Sequence, residues 1–288
     1  MAIVSFWNNS KKETGQTYSA VAIATEMSIE HNYRILEIST GFQDKTTERC
    51  FWEEKKDNDL KDIMGLPNIQ SGMNNGIEGL IKILQSNRSS ANIVSDYSKP
   101  VFKDRLEILL PPSTNNISVY NEITRYYAEL LKVADRNYNV IIIDIDRNMK
   151  EEDKRAILAV SNIVVMPFKQ GLDSLEDMAE LKNAQLPFDK KHLILLLGKY
   201  DNSSKYNIKN IARYLKEKRE ISAVPYSVLY NEAATEGKVA DYFLKYRSMT
   251  EITDQNVTFI KETKNACENI ISRLKELQVR TYPYWKEK

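Results

Sequence analysis

The opening segment constrains the fold more than any other part of the chain. Ala2 to Trp7 (AIVSFW) is a short run rich in apolar residues, the pattern of a buried strand. A polar stretch from Asn8 to Thr17 follows. Ala20, Ile23, Ala24 and Met27 then recur at helical spacing, which predicts a helix from about Gly15 to Glu30. Arg34 to Thr40 (RILEIST) reads as a second strand. Strand, polar loop, helix and strand in so short a span form a βαβ unit, whose strands lie parallel in one sheet.

The same alternation continues to the end. Residues 44–75 are highly charged around an apolar island, Cys50-Phe51-Trp52, and read as a variable excursion. Ile77 to Leu84 is helical, and Leu106 to Leu110 is a strand stopped by Pro111-Pro112. Val119, Ile123, Tyr126, Tyr127, Leu130, Leu131 and Ala134 predict one amphipathic helix, and Val140 to Ile145 (VIIIDI) a strand buried on both faces. Strand Asn162–Pro167, helix Leu175–Ala184, strand His192–Leu197, helix Ile208–Arg219, a short strand Ser222–Ser227 and a long terminal helix from Val257 to Leu277 complete the series. No linker rich in Gly, Ser or Pro interrupts it. The expectation is α/β: one doubly wound domain over 1–288, a mostly parallel sheet with helices on both faces, and a C-terminal helix plus tail over 256–288.

Composition removes several function classes. The 288 residues carry 41 Lys and Arg against 40 Asp and Glu, a net charge of +1, so bulk attraction to nucleic acid is not expected. Lys205, Lys209, Arg213, Lys216, Lys218 and Arg219 make a modest basic face on one predicted helix, read as solvated. Two cysteines, Cys50 and Cys267, exclude a disulfide scaffold and point to a reduced, cytoplasmic setting. With His31 and His192 as the only histidines, neither a zinc cluster nor a Ser-His-Asp triad can be assembled convincingly. No run of about twenty apolar residues occurs, and the opening MAIVSFW reads as a strand and not a secretory signal. The tail places Tyr282, Tyr284 and Trp285 among basic residues, which suits a membrane interface. Pro283 and the small apolar face make that docking weak, and partner docking or packing is preferred.

In an open parallel sheet, ligands sit beyond the carboxyl ends of the strands, where helix-start N–H groups can hold an anion. The first such loop is Asn8 to Ser19 (NNSKKETGQTYS). A phosphate loop, GxxxxGK[ST], uses glycines to wrap phosphates, a Lys to neutralise them and a Ser or Thr hydroxyl to reach Mg2+. Gly15-Gln16-Thr17 is a partial match. It gains weight from the preceding strand, the helix that starts there, and Asp144, which ends the later apolar strand as a magnesium-side carboxylate would. The alternative is a polar connection that binds nothing.

The succession of KKETGQT, ILEIST, LEILLPPS, NVIIIDID, NIVVMPFKQ, LLLGKYD and AVPYSVLYNEAATEG resembles the ParA/MinD group of deviant Walker A ATPases over essentially the whole chain. Within it the chain looks most like TadZ/CpaE-type proteins, which place pilus and secretion machinery at a cell pole. The resemblance implies a P-loop NTPase fold and a nucleotide site at Lys11, Lys12, Glu13, Thr14, Gly15, Gln16, Thr17, Tyr18 and Asp144, with Thr17 and Asp144 at the metal. The family motif, KGGxGKT, places Lys11 at its signature lysine. Lys12 and Glu13 stand where the family has glycines, and Gln16 where it has the Walker lysine. Ser39 replaces its first acidic residue on the second strand. Gly41 stands where a further acid often lies, which Asp44 replaces only if the loop bends back. Gly198 takes the place of an adenine-reading Asn. A neutral amide in place of an ammonium forfeits a contact worth about 1.5–3 kcal/mol at a phosphate.

The resulting expectation is a degenerate ATPase, or pseudo-ATPase, with weak Mg-ATP binding and little or no hydrolysis. It would act as a homodimer and organise a pilus, secretion or conjugation apparatus through protein contacts, cytoplasmic unless recruited to the membrane or a pole by a partner. The competing expectation is an active ParA-type ATPase that binds DNA and partitions a plasmid or chromosome. A metabolic enzyme of the same topology is disfavoured, because Gln16 supplies no activating lysine.

Overall fold

The computed structural model describes residues 2–8, 13–53, 76–86, 92–184, 186–189, 192–249 and 254–281, the last helix with side chains to 277. Among the described residues eight strands form one sheet: β1 (Ala2–Phe6), β2 (Ile35–Ser39), β3 (Lys99–Phe102), β4 (Leu106–Leu109), β5 (Val140–Asp144), β6 (Ile163–Phe168), β7 (Leu193–Tyr200) and β8 (Ser222–Pro225). Their order is β3-β4-β2-β5-β1-β6-β7-β8. All neighbours are parallel except the antiparallel edge pair β3–β4.

Strict alternation sorts the side chains between two cores. On one face Leu36, Ile38, Ile141, Ile143, Val164, Met166 and Leu195 pack under α3 (Ile77–Gln85), α4 (Ile93–Tyr97), α5 (Ile117–Thr124), α6 (Tyr127–Ala134), α7 (Glu151–Val160), α8 (Leu172–Asn183) and α9 (Ile208–Tyr214). On the other, Val4, Phe6, Ile35, Ile142, Val165 and Leu196 pack under α1 (Gln16–Glu30), α2 (Thr46–Phe51), α10 (Val228–Thr235), α11 (Val239–Tyr246) and α12 (Gln255–Thr281). The same period of two places Glu37, Ser39, Asp144 and Gly198 on the α1 side.

The expected strands and the first helix are found within a residue or two at most ends, but several elements differ. Residues 46–51, read as part of a variable excursion, form α2, with Cys50 and Phe51 buried against the α1-side core; residues 54–75 lie outside the described residues. The segment read as one helix around 119–134 is two, α5 and α6. Thr124 donates its hydroxyl to Asp153 of α7 at 2.6 Å, and a tight turn from Tyr126 N–H to the Ile123 carbonyl reorients the chain so that Tyr127 is buried. The helix expected to reach Arg219 ends at Tyr214, because Lys216 turns left-handed (φ 48°) and the Glu217 N–H closes on the Ala212 carbonyl. Of the six residues of the expected basic face only Lys209 and Arg213 therefore lie on that helix. The aromatic tail lies outside the described residues.

Three buried carboxyls on this scaffold behave differently. Glu107 of β4 accepts from Ser98, Tyr138, Arg34 and Ser95; burial pushes its carboxyl up, and these four donors more than offset it and hold it below the usual range. Glu37, at the centre of β2, has no hydrogen-bond partner on either oxygen among the described residues, and burial, then the nearby Asp144, push it well above the ordinary value. Glu26 of α1 is 1% exposed. Burial, reinforced by Glu30 and opposed by Lys264 and Arg247, raises it to about 7.

Glu37→Leu should stabilise the fold by about 1 kcal/mol or more, read as a raised urea midpoint at pH 7, because it removes an unpartnered buried polar group. A carboxyl raised in the folded state stabilises fully below its unfolded pKa and loses that contribution as pH rises through the folded value. For Glu26 the loss runs from about 4.5 to about 7. Between pH 5 and pH 8 the wild type should lose about 2 kcal/mol more stability than Glu26→Gln in urea titrations.

Candidate functional site

A cleft of about 450 Å3 opens at the carboxyl end of the sheet, where β1 and β5 deliver their loops to the start of α1. Its described lining includes Glu13, Thr14, Gly15, Gln16, Thr17 and Tyr18 from the first loop and Asp144, Asp146 and Arg147 from the β5 end, with Asp44 from the loop after β2. Parallel pairing puts these ends together: Phe6 and Ser39 both register with Asp144. Thr40 fixes the junction, its N–H and its hydroxyl both donating to the Asp144 carbonyl while its Oγ1 accepts from the Asp146 N–H.

Asp144 is the centre. Its Oδ2 accepts from the Thr17 hydroxyl at 2.6 Å and its Oδ1 from the Gln16 amide at 2.6 Å. The second Gln16 N–H has the Ile145 carbonyl within reach at 2.9 Å, and Gln16 Oε1 accepts from Asn8 at 2.6 Å, which fixes the orientation of the amide. Both amide donors are thus spent inside the protein. Burial pushes the Asp144 carboxyl up to about 6 against the bonds from Thr17 and Gln16, and Asp44 and Asp146 add to the rise. The described lining holds four carboxylates (Glu13, Asp44, Asp144 and Asp146) and one guanidinium, Arg147.

The loop reaches α1 through Gly15, which adopts φ 72° at the N-cap and makes no side-chain cap. The left-handed turn favours glycine. The N-cap of this fifteen-residue helix therefore offers its first-turn N–H groups no side-chain acceptor of its own. Gly198 of β7 supports the loop from below: a Cβ there would stand 2.1 Å from the Thr14 carbonyl oxygen.

Of the residues singled out from sequence, Glu13 to Tyr18 and Asp144 come together in this cleft, while Lys11 and Lys12 lie outside the described residues. Glu13 is ion-paired with Lys199, and Thr14 is buried with its hydroxyl accepting from Asn8. The loop after β2 does bend back, so that Asp44 lines the cleft. His31 stacks on Tyr33 at the far end of α1, and His192 precedes β7 and bonds the Asn162 carbonyl, so neither reaches the cleft. Asn8, Asp146 and Lys199 carried no sequence signal. Among the described residues no group of three or more His, Cys, Asp or Glu side chains could hold a metal ion, and no helix is long and apolar enough to cross a membrane. The hydroxyl and carboxylate of Thr17 and Asp144 do fit a hard cation, as two ligands to a magnesium ion whose remaining ligands would be phosphate and water.

No family model and no curated protein sequence matches the chain. Solved structures do. A ParA family ATPase from Chlorobium tepidum TLS superposes with a TM-score of 0.67 at 15% identity, over 93% of this chain and 98% of that one. The septum site-determining protein MinD of Pyrococcus horikoshii OT3, complexed with Mg-ADP, gives 0.58 at 15% over 92% and 95%. A plasmid partition protein from Borrelia burgdorferi gives 0.51 at 16% over 85% and 98%. The chain has the α/β fold of the ParA and MinD ATPases.

Gly198→Ala should cost at least about 2 kcal/mol in thermal unfolding, because the added methyl meets a backbone carbonyl that can yield only by moving the loop.

Proposed function

We propose that the chain is a ParA/MinD-like positioning protein with a degenerate nucleotide site. It binds Mg-ATP weakly, hydrolyses it little or not at all, and as a homodimer organises a pilus, secretion or conjugation apparatus through partner contacts. One observation carries the reading. The side chain at the Walker lysine position is an amide whose N–H groups are committed to Asp144 and the Ile145 carbonyl. It brings no charge to a triphosphate and no donor without first breaking those bonds. Ser39, opposite Asp144 in the register, offers a hydroxyl where an acid would order the attacking water.

The uncapped start of α1 supports binding of a phosphate chain, and Thr17 with Asp144 would hold the magnesium ion. When bound, that ion neutralises charge on the phosphates. The structurally similar MinD of Pyrococcus horikoshii is complexed with Mg-ADP, which supports nucleotide and magnesium as the ligands on this reading. A membrane surface remains a weak partner on this reading.

The second reading, an active ATPase that binds DNA and partitions a replicon, draws on the likeness to the Borrelia burgdorferi plasmid partition protein. The acidic lining and the broken basic face weigh against it.

Calorimetric titration of Mg-ATP should show Gln16→Lys binding about tenfold tighter than wild type, with wild-type phosphate release at background. Wild-type turnover equal to that of the variant would overturn the degenerate reading. ATP-dependent, salt-sensitive binding to DNA would establish the second.

A further inference from the structure

Lys199 is the next-to-last residue of β7 and the register with β8 slips around it, between Gly198 and Tyr200. Its backbone is left-handed, φ 53°, a conformation that strains a residue with a side chain and marks sites where geometry is held for a purpose. That turn sends the side chain over the phosphate loop. A Cβ at Gly15 would stand 3.1 Å from Lys199 Cγ, so the aliphatic stem runs across the glycine that starts α1. The ammonium ends on the carboxylate of Glu13, in the same loop. Glu13 is 71% exposed and Lys199 30%, so the pair is weak and exchangeable.

We propose that Lys199 is the phosphate-binding cation of this cleft, supplying from β7 the charge that Gln16 lacks, and that Glu13 holds its ammonium until an anionic ligand takes the carboxylate's place. The proposal rests on the reading of the cleft as a Mg-nucleotide site. Three features support it. The Lys199 side chain passes Gly15, where α1 begins, and its ammonium ends on Glu13 of the same loop. Glu13 is held below the ordinary carboxylate range by its bond to Lys199, against burial, with a smaller contribution from Lys169 at the end of β6. It is therefore anionic at neutral pH, as a stand-in for phosphate must be. Finally, Gln16 is neutral and already committed to Asp144 and the Ile145 carbonyl, so a cation from β7 would supply what this position does not.

The test is a double-mutant cycle read by calorimetry with Mg-ATP, using wild type, Lys199→Gln, Glu13→Gln and the double variant, with Lys199→Arg as the charge-retaining control and Gln16→Lys as a reference. Thermal unfolding confirms that each variant is folded. Lys199→Gln should weaken binding about tenfold and Lys199→Arg should retain most of it. Glu13→Gln should tighten binding several-fold when Lys199 is present and leave it unchanged in the Lys199→Gln background. An equal gain in both backgrounds would mean that Glu13 merely repels phosphate, and the exchange would be overturned. Unchanged affinity in Lys199→Gln, with Gln16→Lys still binding Mg-ATP, would overturn the role of Lys199 alone. Failure of wild type and Gln16→Lys alike to bind would overturn the nucleotide reading itself.

Discussion

The structure depends on a carboxylate held at the end of the central strand. Asp144 is buried, and a buried charge persists only when its oxygens find donors. Thr17 and Gln16, successive residues in the first turn of α1, supply one each. Two short contacts therefore join the first loop to β5, fix where α1 begins and close the floor of the cleft. In a competent phosphate site a lysine at the second of these positions would be available to a ligand. Here both amide donors are spent as a structural tie to Asp144 and the Ile145 carbonyl.

α1 shows how far the core extends around that tie. Its residues from Ser19 to Ser28 are all buried, so the helix is enclosed on every side and not amphipathic in the manner of a surface helix. The small residues Ala20, Ala22 and Ala24 let the sheet, α2 and α12 approach closely. Two carboxyls are drawn into this packing, Glu26 on the helix and Glu37 on the strand beneath. Both are pushed towards the neutral form. The acid groups of this half of the molecule thus divide into those that stay ionised by finding donors and those that give up their charge.

Much of this was legible in the residues. Val140 to Ile145 and His192 to Leu197 are nearly unbroken apolar runs, which parallel strands covered on both faces require. Gly15, Thr17 and Asp144, picked out by a partial phosphate-loop match and a strand-end carboxylate, lie together in the cleft. What escaped was set by tertiary contacts. β3 is four half-exposed residues with a proline, Lys99 to Phe102, which pair at the sheet edge without an apolar signature. α9 stops at a left-handed lysine, where no glycine announces the end. Lys199 lies far from Glu13 in sequence, and only the order β1-β6-β7 brings the strand end beside the loop. Asn8 and Asp146 likewise acquire their roles only when their neighbours are in place.

The close seat of the Thr14 carbonyl on Gly198 couples the strand end to the loop. Any side chain at that position and the present course of the loop are mutually exclusive, since its first atom would overlap the peptide above it. A larger residue is admitted there only once the loop has lifted, so the residue at the strand end and the path of the loop can change only together, and a shift imposed on one is passed directly to the other.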